Sequence, residues 1–177
     1  MNFTDPRTHI ESLGLNPGDV VIDLGAGSGA YALVAAHAVT PRGTIYAVDL
    51  NRDLLTRLQN DARTEQLSNI DIVWGDIETK NGIKLQDHIA DAILICNTLF
   101  MTENKEGVLT EIKRLLKPKG KVLVVEWSGS HGGIGPHGDH VFSEEDAKKL
   151  FMDHGFTISH VSDDSSYHYR FVATNTL

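Results

Sequence analysis

The chain has 177 residues, of which 41% are hydrophobic and 23% are charged, and its formal net charge at pH 7 is −8. This length predicts one compact domain over residues 1–177 and is too short for two ordinary domains. The acidic balance argues against broad binding to a phosphate backbone, so nucleic acid is not an expected partner.

The cysteine content and the apolar runs bear on the compartment. Cys96 is the one cysteine, so it cannot form an internal disulfide, which is typical of a reducing compartment. No apolar run approaches the roughly 20 residues of a membrane span, and the N-terminus does not read as a targeting segment. We therefore expect a cytoplasmic protein.

The first predicted elements are a short helix and a strand. Asp5 before Pro6 is typical of a helix start, so residues 1–18 are predicted as an N-terminal helix and turn. Val20–Leu24 is an apolar run interrupted by Asp23. Such a run predicts a central strand that is covered on both faces.

A glycine-rich loop follows this strand directly. Gly25, Gly27 and Gly29 occupy alternate positions, where the missing Cβ atoms let the backbone approach a ligand closely. The amides at the start of the next helix offer a site for an anion. We therefore expect a nucleotide-like ligand at this loop.

The middle of the chain alternates between short apolar runs and segments of helical period. This alternation predicts an α/β architecture in which helical crossovers join the strands of a parallel sheet. Lys117–Gly120 is predicted as a turn. The further predicted strands are Thr44–Val48, Ile70–Val73, Ile89–Cys96 and Lys121–Val125, and the predicted helices are Ala30–Val39, Leu54–Ala62 and Val108–Leu116.

The composition changes after Glu126. Residues 127–142 are glycine-rich and are predicted to hold no regular element of any length, so we interpret them as a lid over a substrate. Ser143 is typical of the residue that caps a helix start. Thr157–Val161 and Tyr167–Thr174 are predicted to be two final strands that form a hairpin.

Polar residues lie at the ends of successive predicted strands. Asp23, Asp49, Asp76, Asn97 and Glu126 are each at or near such an end. Ligands of open α/β sheets bind beyond the carboxyl ends of the strands, so this regularity indicates a site. A carboxylate after the second strand can accept hydrogen bonds from both hydroxyls of a ribose, and one after the third strand can accept from an exocyclic amine.

The motifs around these positions resemble those of class I S-adenosylmethionine-dependent methyltransferases over nearly the whole chain. Val21–Gly29 looks like the first motif of that family, Tyr46–Leu50 like its ribose-binding strand end and Gly75–Ile77 like its adenine-binding turn. Asp91–Asn97 and Leu115–Glu126 are similar to its fourth and fifth strand motifs. Five matches in the family's order make the resemblance specific.

A subgroup is also suggested. Val125–Trp127 and Tyr167–Tyr169 are similar to features of the small methyltransferases of the ubiquinone and menaquinone biosynthesis type. The chain departs from that subgroup at Asn97–Phe100, where many relatives carry histidine. The identity of the substrate does not transfer.

The resemblance implies a fold, a cofactor and site residues. The fold is a Rossmann-like three-layer sandwich whose mostly parallel seven-stranded sheet has the order 3-2-1-4-5-7-6 and ends in an antiparallel hairpin. The cofactor is S-adenosylmethionine. The implied cofactor-binding residues are Asp23, Gly25, Ala26, Gly27, Gly29, Asp49, Leu50, Asp76, Ile77 and Asn97.

Each of these residues has an implied role. The glycines pass under the methionine portion, Asp23 orients it, and the backbone around Asn97 meets its amino group. Asp49 holds the ribose hydroxyls. Asp76 accepts from the adenine amine, while Leu50 and Ile77 enclose the adenine.

Our leading hypothesis is in-line methyl transfer to a small-molecule acceptor, with a homodimer as one arrangement of the chain. Residues Gly25 to Ala30 also fit Gly-x-Gly-x-x-Ala, so a nucleotide-dependent oxidoreductase stays open as an alternative. Methylation of protein or RNA, and a non-catalytic module that binds S-adenosylmethionine, stay open as well. Asp23, Gly29 and the later strand ends favour the methyltransferase.

Histidines in the glycine-rich segment raise two further hypotheses. His131, His137 and His140 have suitable ligand chemistry for zinc or iron, but their spacing matches no closed zinc pattern and no metal is expected. His137 and His140 are candidates for a general base. Tyr167 shares a strand face with Tyr169 and is a candidate for lining the acceptor pocket and, like the two histidines, for a catalytic role.

Overall fold

The structure, a computed structural model, describes residues 5–130, 135–160 and 167–176. Its strands are β1 Val20–Leu24, β2 Thr44–Asp49, β3 Ile70–Trp74, β4 Ala90–Cys96, β5 Leu116–Trp127, β6 Phe156–His160 and β7 His168–Asn175. Its α-helices are α1 Pro6–Leu13, α2 Ala30–Val39, α3 Arg52–Thr64, α4 Lys105–Leu115 and α5 Glu144–Asp153.

The strands form one sheet of seven with the order β3-β2-β1-β4-β5-β7-β6. Neighbouring strands among β1 to β5 pair in parallel, whereas β7 is antiparallel to both β5 and β6. This confirms the predicted fold class, strand order and terminal hairpin. Strands β2 and β3 lie on one side of β1, and β4 and β5 lie on the other, so the strand order reverses between β1 and β4. Open α/β sheets bind ligands beside such a switch point.

Helices cover both faces of the sheet. In β1, Val21 belongs to a core shared with α1 and α2, whereas Ile22 and Leu24 belong to a second core shared with α4 and α5. Successive strand residues point to opposite faces, so a strand buried on both sides is continuously apolar. The predicted three-layer sandwich is confirmed.

The predicted turn at Lys117–Gly120 is wrong in its boundaries. Strand β5 already begins at Leu116, which pairs with Ala90, and Lys121 then pairs with Ala92. Residues 117–120 therefore form a bulge opposite Asp91, whose Oδ1 lies 2.7 Å from Lys117 Nζ. Leu116 is fully buried, and its place in the core keeps it in the sheet despite the turn-forming residues after it.

The structure describes the two ends of the predicted lid, residues 127–130 and 135–142. Trp127, the first residue of the predicted lid, belongs to β5 and pairs with His168. Gly138–His140 forms a short 3-10 turn, although no regular element was expected there. Residues 131–134, and with them His131, lie outside the described residues.

Two kinds of feature are absent from the described part of the chain, a membrane-spanning helix and a cluster of metal ligands. Of the helices in the described part of the chain, none combines the length and apolar character that a bilayer crossing needs. Within residues 5–130, 135–160 and 167–176, no group of three or more His, Cys, Asp or Glu side chains is placed to hold a metal ion.

The packing around Gly29 gives a stability prediction. Gly29 has φ 92°, and a Cβ at this position would overlap the Leu58 side chain. Gly29→Ala is expected to lower the free energy of unfolding by about 2–5 kcal/mol, because backbone strain and overpacking add. Chemical denaturation measures this loss.

Gly138→Ala is the matched control, because a Cβ there would meet nothing within 4 Å. Its expected effect is within about 0.5 kcal/mol. Equal effects of the two variants would contradict the packing described for Gly29.

Candidate functional site

A cavity of about 480 Å³ lies at the carboxyl ends of the parallel strands. Its volume is within the roughly 300–1,000 Å³ that small-molecule and cofactor sites occupy. The residues that line it lie at or after the ends of β1, β2, β3 and β4, and one of them, Leu54, lies in the first turn of α3. They are Gly25, Gly27, Asp49, Leu50, Asn51, Leu54, Gly75, Ile77, Glu78, Asn97, Thr98, Met101 and Thr102.

The Asp49 carboxylate ties two walls of this cavity together. Its Oδ2 accepts the Gly27 amide at 2.9 Å, and its Oδ1 accepts the Asn51 amide at 2.8 Å. Each carboxylate oxygen has two lone pairs, so both oxygens can accept a further hydrogen bond from a ligand. Asp49 is therefore placed to hold the glycine loop and a diol at the same time.

The glycines of the loop have different roles. A Cβ at Gly25 would overlap the Thr98 side chain, as one at Gly29 would overlap Leu58. At Gly27, by contrast, the first atom that a Cβ would meet is the Gly25 carbonyl oxygen at 4.0 Å. Gly27 therefore keeps open a path to the loop backbone from the cavity side.

Asn97, which follows β4, lines the cavity and carries an unpaired acceptor. It adopts φ 53° directly after β4, and its amide donates to Val125 O at 2.8 Å. Its side-chain Oδ1 is buried and accepts no hydrogen bond from the described residues. Buried polar groups are rarely left unpaired, so this oxygen indicates a ligand that brings a donor.

The turn after β3 forms a third wall. Gly75, Ile77 and Glu78 line the cavity. Asp76, between them, accepts the Glu78 amide at 2.9 Å and the Thr79 hydroxyl at 2.7 Å. Asp76 thus shapes the turn, and it is not among the lining residues.

Apolar side chains complete the cavity. Leu50 and Met101 are 57% and 63% exposed although both are large and hydrophobic. Trp74 Nε1 donates to Leu50 O at 3.1 Å, and the Arg52 guanidinium stacks over the Trp74 ring at 4.6 Å. Exposed apolar groups at a cavity mouth favour a ligand with a flat apolar part.

Asp23 lies below the loop. It is 2% exposed, and burial is the main cause that raises the pKa of its carboxyl from 3.8 to about 7. The Asp49 charge raises this pKa further, while a hydrogen bond from the Ala32 amide lowers it. Oδ2 of Asp23 has no hydrogen-bond partner among the described residues.

The structure brings together six of the ten sequence-predicted residues. Gly25, Gly27, Asp49, Leu50, Ile77 and Asn97 line the cavity, whereas Asp23, Ala26, Gly29 and Asp76 do not. Seven further lining residues were not among the ten. Two of them had a signal in the sequence, Gly75 as the first residue of the motif Gly75–Ile77 and Asn51 as a cap that directly follows Asp49–Leu50. The seven are Asn51, Leu54, Gly75, Glu78, Thr98, Met101 and Thr102.

The candidate catalytic residues lie apart from the cavity. His137 and His140 are exposed around the 3-10 turn of the glycine-rich segment and do not line the cavity. Tyr167 lies just before β7 rather than in it, and its carbonyl accepts the Ser128 amide at 2.9 Å. Tyr169, which was predicted to share its face, is buried in the core and donates from its hydroxyl to Phe142 O at 3.0 Å.

Comparison with known proteins gives a family. A family model described as a methyltransferase domain matches residues 15–175. The ubiquinone/menaquinone biosynthesis C-methyltransferase UbiE of Hydrogenovibrio crunogenus is 32% identical over 124 residues, which are 69% of this chain and 47% of that protein. The chain thus spans about half the length of the curated relatives it matches.

Solved structures share the fold. A SAM dependent methyltransferase from Aquifex aeolicus superposes with a TM-score of 0.87 at 24% identity, covering 96% of this chain and 89% of that one. The cyclase SpnF superposes with a TM-score of 0.82 at 19% identity, covering 96% of this chain and 79% of that one. At these identities the likeness concerns the fold alone, and the same fold carries different reactions.

The burial of Asp23 predicts a pH dependence of stability. Native Asp23 keeps its proton up to about pH 7, whereas in the unfolded chain the carboxyl loses it near pH 3.8. The native state then holds more protons between these values, so this group's contribution to stability falls as the pH rises through that window. Asp23→Asn is neutral at every pH and removes this loss.

Chemical denaturation at pH 5 and pH 7 measures the effect. The free energy of unfolding of Asp23→Asn minus that of the unmodified protein is expected to increase by up to about 3 kcal/mol when the pH is raised from 5 to 7. Asp71→Asn, at an exposed carboxylate of β3, is the control and should show no such increase. If this difference in stability does not change with pH, the raised pKa of native Asp23 is contradicted.

Proposed function

The chain belongs to the methyltransferase-domain family, and on that premise we propose that it transfers a methyl group from S-adenosylmethionine to a small-molecule acceptor. The observation that carries the proposal is the pair of acceptors among the residues that line the cavity. Asp49 offers carboxylate oxygens on one wall, and Asn97 offers a buried oxygen without a donor on another.

The residues of the cavity fit the parts of S-adenosylmethionine. A ribose has two neighbouring hydroxyls that one carboxylate can accept, which suits Asp49. An adenine ring is flat and largely apolar, which suits Leu50 and Ile77. An α-ammonium group donates three hydrogen bonds, which suits the unpaired Asn97 Oδ1, and Gly27 leaves the loop backbone accessible.

The four remaining predicted residues would support the cofactor indirectly. Asp76 holds the shape of the turn that presents Ile77, and Gly29 permits the turn from the loop into α2. Ala26 anchors the loop by donating its amide to Val48 O at 3.0 Å. Asp23 places a titratable carboxyl below the loop, where a bound cation would favour its charged form.

The reaction would need little from the protein beyond binding and orientation. S-adenosylmethionine supplies a methyl group on a sulfonium, already activated for in-line displacement by an acceptor atom. The chain's own contribution is to fix the positions of donor and acceptor and to exclude water. A general base is needed only where the acceptor must lose a proton, which is consistent with a cavity lined by no histidine among the described residues.

A small-molecule acceptor is supported by charge and by the relatives. The net charge of −8 disfavours a nucleic-acid acceptor. The relatives at 30–32% identity are named as C-methyltransferases of ubiquinone and menaquinone biosynthesis. Their name thus points to small-molecule acceptors. The cytoplasm remains the proposed location, because the one cysteine is buried and free.

Isothermal titration calorimetry tests the cofactor assignment. S-adenosylhomocysteine and S-adenosylmethionine are expected to bind with one site per chain, and NADH is expected not to bind. NADH binding without binding of the two methionine derivatives would contradict the proposal and favour the oxidoreductase. Methyl transfer to a panel of quinone precursors, phenols and small amines then separates an enzyme from a binding module.

Asp49→Asn tests the ribose contact. The substitution removes the charge and puts a donor where one oxygen now accepts, so S-adenosylhomocysteine should bind about 10–100-fold more weakly. Asp53→Asn, at an exposed residue in the first turn of α3, is the matched control and should bind normally. Normal binding by Asp49→Asn would mean that the ribose lies elsewhere.

A further inference from the structure

Glu126 is a buried carboxylate that the proposed function does not use. It lies one residue before the end of β5 and is 1% exposed. The segment Asn97–Thr102, which we name the β4 turn, follows the neighbouring strand and contains the 3-10 turn Leu99–Met101. The strands β4 and β5 pair in parallel up to Cys96 and Val125, so the β4 turn and Glu126 leave the sheet side by side.

The end of β5 holds the backbone of the β4 turn. Val125 O accepts the Asn97 amide at 2.8 Å, and Glu126 Oε2 accepts the Phe100 amide at 3.2 Å. Glu126 Oε1 accepts the Trp127 amide at 3.0 Å, which fixes the carboxylate itself. The first amides of a helical turn have no partner within it, and Thr98 gives this turn no side-chain cap, so Glu126 supplies the cap from another strand.

Electrostatics agree with this geometry. Burial raises the pKa of Glu126, and the amides of Trp127, Phe100, Leu99 and Thr98 act against that rise. A carboxylate that accepts several amides is held firmly in one position. The contact is therefore directional and sensitive to the exchange of one oxygen for an NH₂ group.

The β4 turn supplies one wall of the cavity through Asn97, Thr98, Met101 and Thr102. We propose that Glu126 is a positioning residue that sets this wall against the amino-acid portion of S-adenosylmethionine, so that the chain distinguishes the complete cofactor from its adenosine part. This inference rests on the proposed function, because it assumes that Asn97 meets the amino-acid portion.

The proposal predicts a selective loss of affinity. Adenosine carries the ribose and adenine parts but lacks the amino-acid portion, so it has no ammonium group for Asn97 to meet. In Glu126→Gln the new NH₂ group opposes an amide donor, and the β4 turn is expected to shift. The variant should lose more affinity for S-adenosylhomocysteine than for adenosine, whereas a general loss of stability would weaken both alike.

Calorimetry on the full chain measures this selectivity as the Kd of adenosine divided by the Kd of S-adenosylhomocysteine. Glu126→Gln is expected to lower this ratio by about threefold or more, and a smaller change would overturn the proposal. If Glu126→Gln fails to fold, Glu126→Asp, which withdraws the carboxylate by one methylene, is measured against the same threshold. Failure of the unmodified protein to bind either compound would instead reject the proposed function.

Glu111→Gln is the matched control. Glu111 is also fully buried and also accepts backbone amides, from Asn81 at 3.0 Å and Ile83 at 3.3 Å. These amides follow the turn after β3, whose residues Gly75, Ile77 and Glu78 line the cavity. On the proposed function, that turn faces the adenine, which both ligands contain. The control is expected to leave the ratio unchanged even if both affinities fall, and an equal fall of the ratio in the two variants would overturn the proposal.

Discussion

The hydrogen bonds of the Asp49 carboxylate join the two backbone segments on which the site depends. One oxygen accepts the Gly27 amide of the loop after β1, and the other accepts the Asn51 amide at the start of α3. The loop is also tied to β2 through the Gly25 amide, which donates to Val48 O at 2.9 Å. The loop and the strand end are thus fixed relative to each other before any ligand binds. Such preorganisation lowers the cost of ordering the site on binding.

The sequence predicted most of the fold because local and long-range preferences agree over most of the chain. Continuous apolar strands and amphipathic helices gave the α/β class, and the family motifs gave the strand order, which the sheet confirms. The prediction failed where a distant contact decides the local structure. Lys117–Gly120 has the composition of a turn, yet the pairing of Leu116 with Ala90 makes it a bulge within β5. The 3-10 turn Leu99–Met101 was missed because part of its capping comes from Glu126, which is remote in sequence.

The sequence predicted the site only in part, again because distant contacts and local turns decide which side chains face the cavity. Residues at strand ends are readable from the sequence, and six of them line the cavity. Whether a given side chain then faces the cavity depends on the local turn, as Asp76 shows by capping its own turn. Thr98 and Met101 carry no sequence signal, because a contact with β5 sets their position. The identity of the methyl acceptor cannot be read from the fold, since the cyclase SpnF has the same fold.

A crystal structure of the complex with S-adenosylhomocysteine tests the central claim most directly. The account predicts both ribose hydroxyls within hydrogen-bonding distance of the Asp49 carboxylate, while the Gly27 and Asn51 amides keep their present bonds. It also predicts the ligand's ammonium group within hydrogen-bonding distance of Asn97 Oδ1. A ligand bound in the reverse orientation, or one that displaces the Gly27 amide from Asp49, would contradict it.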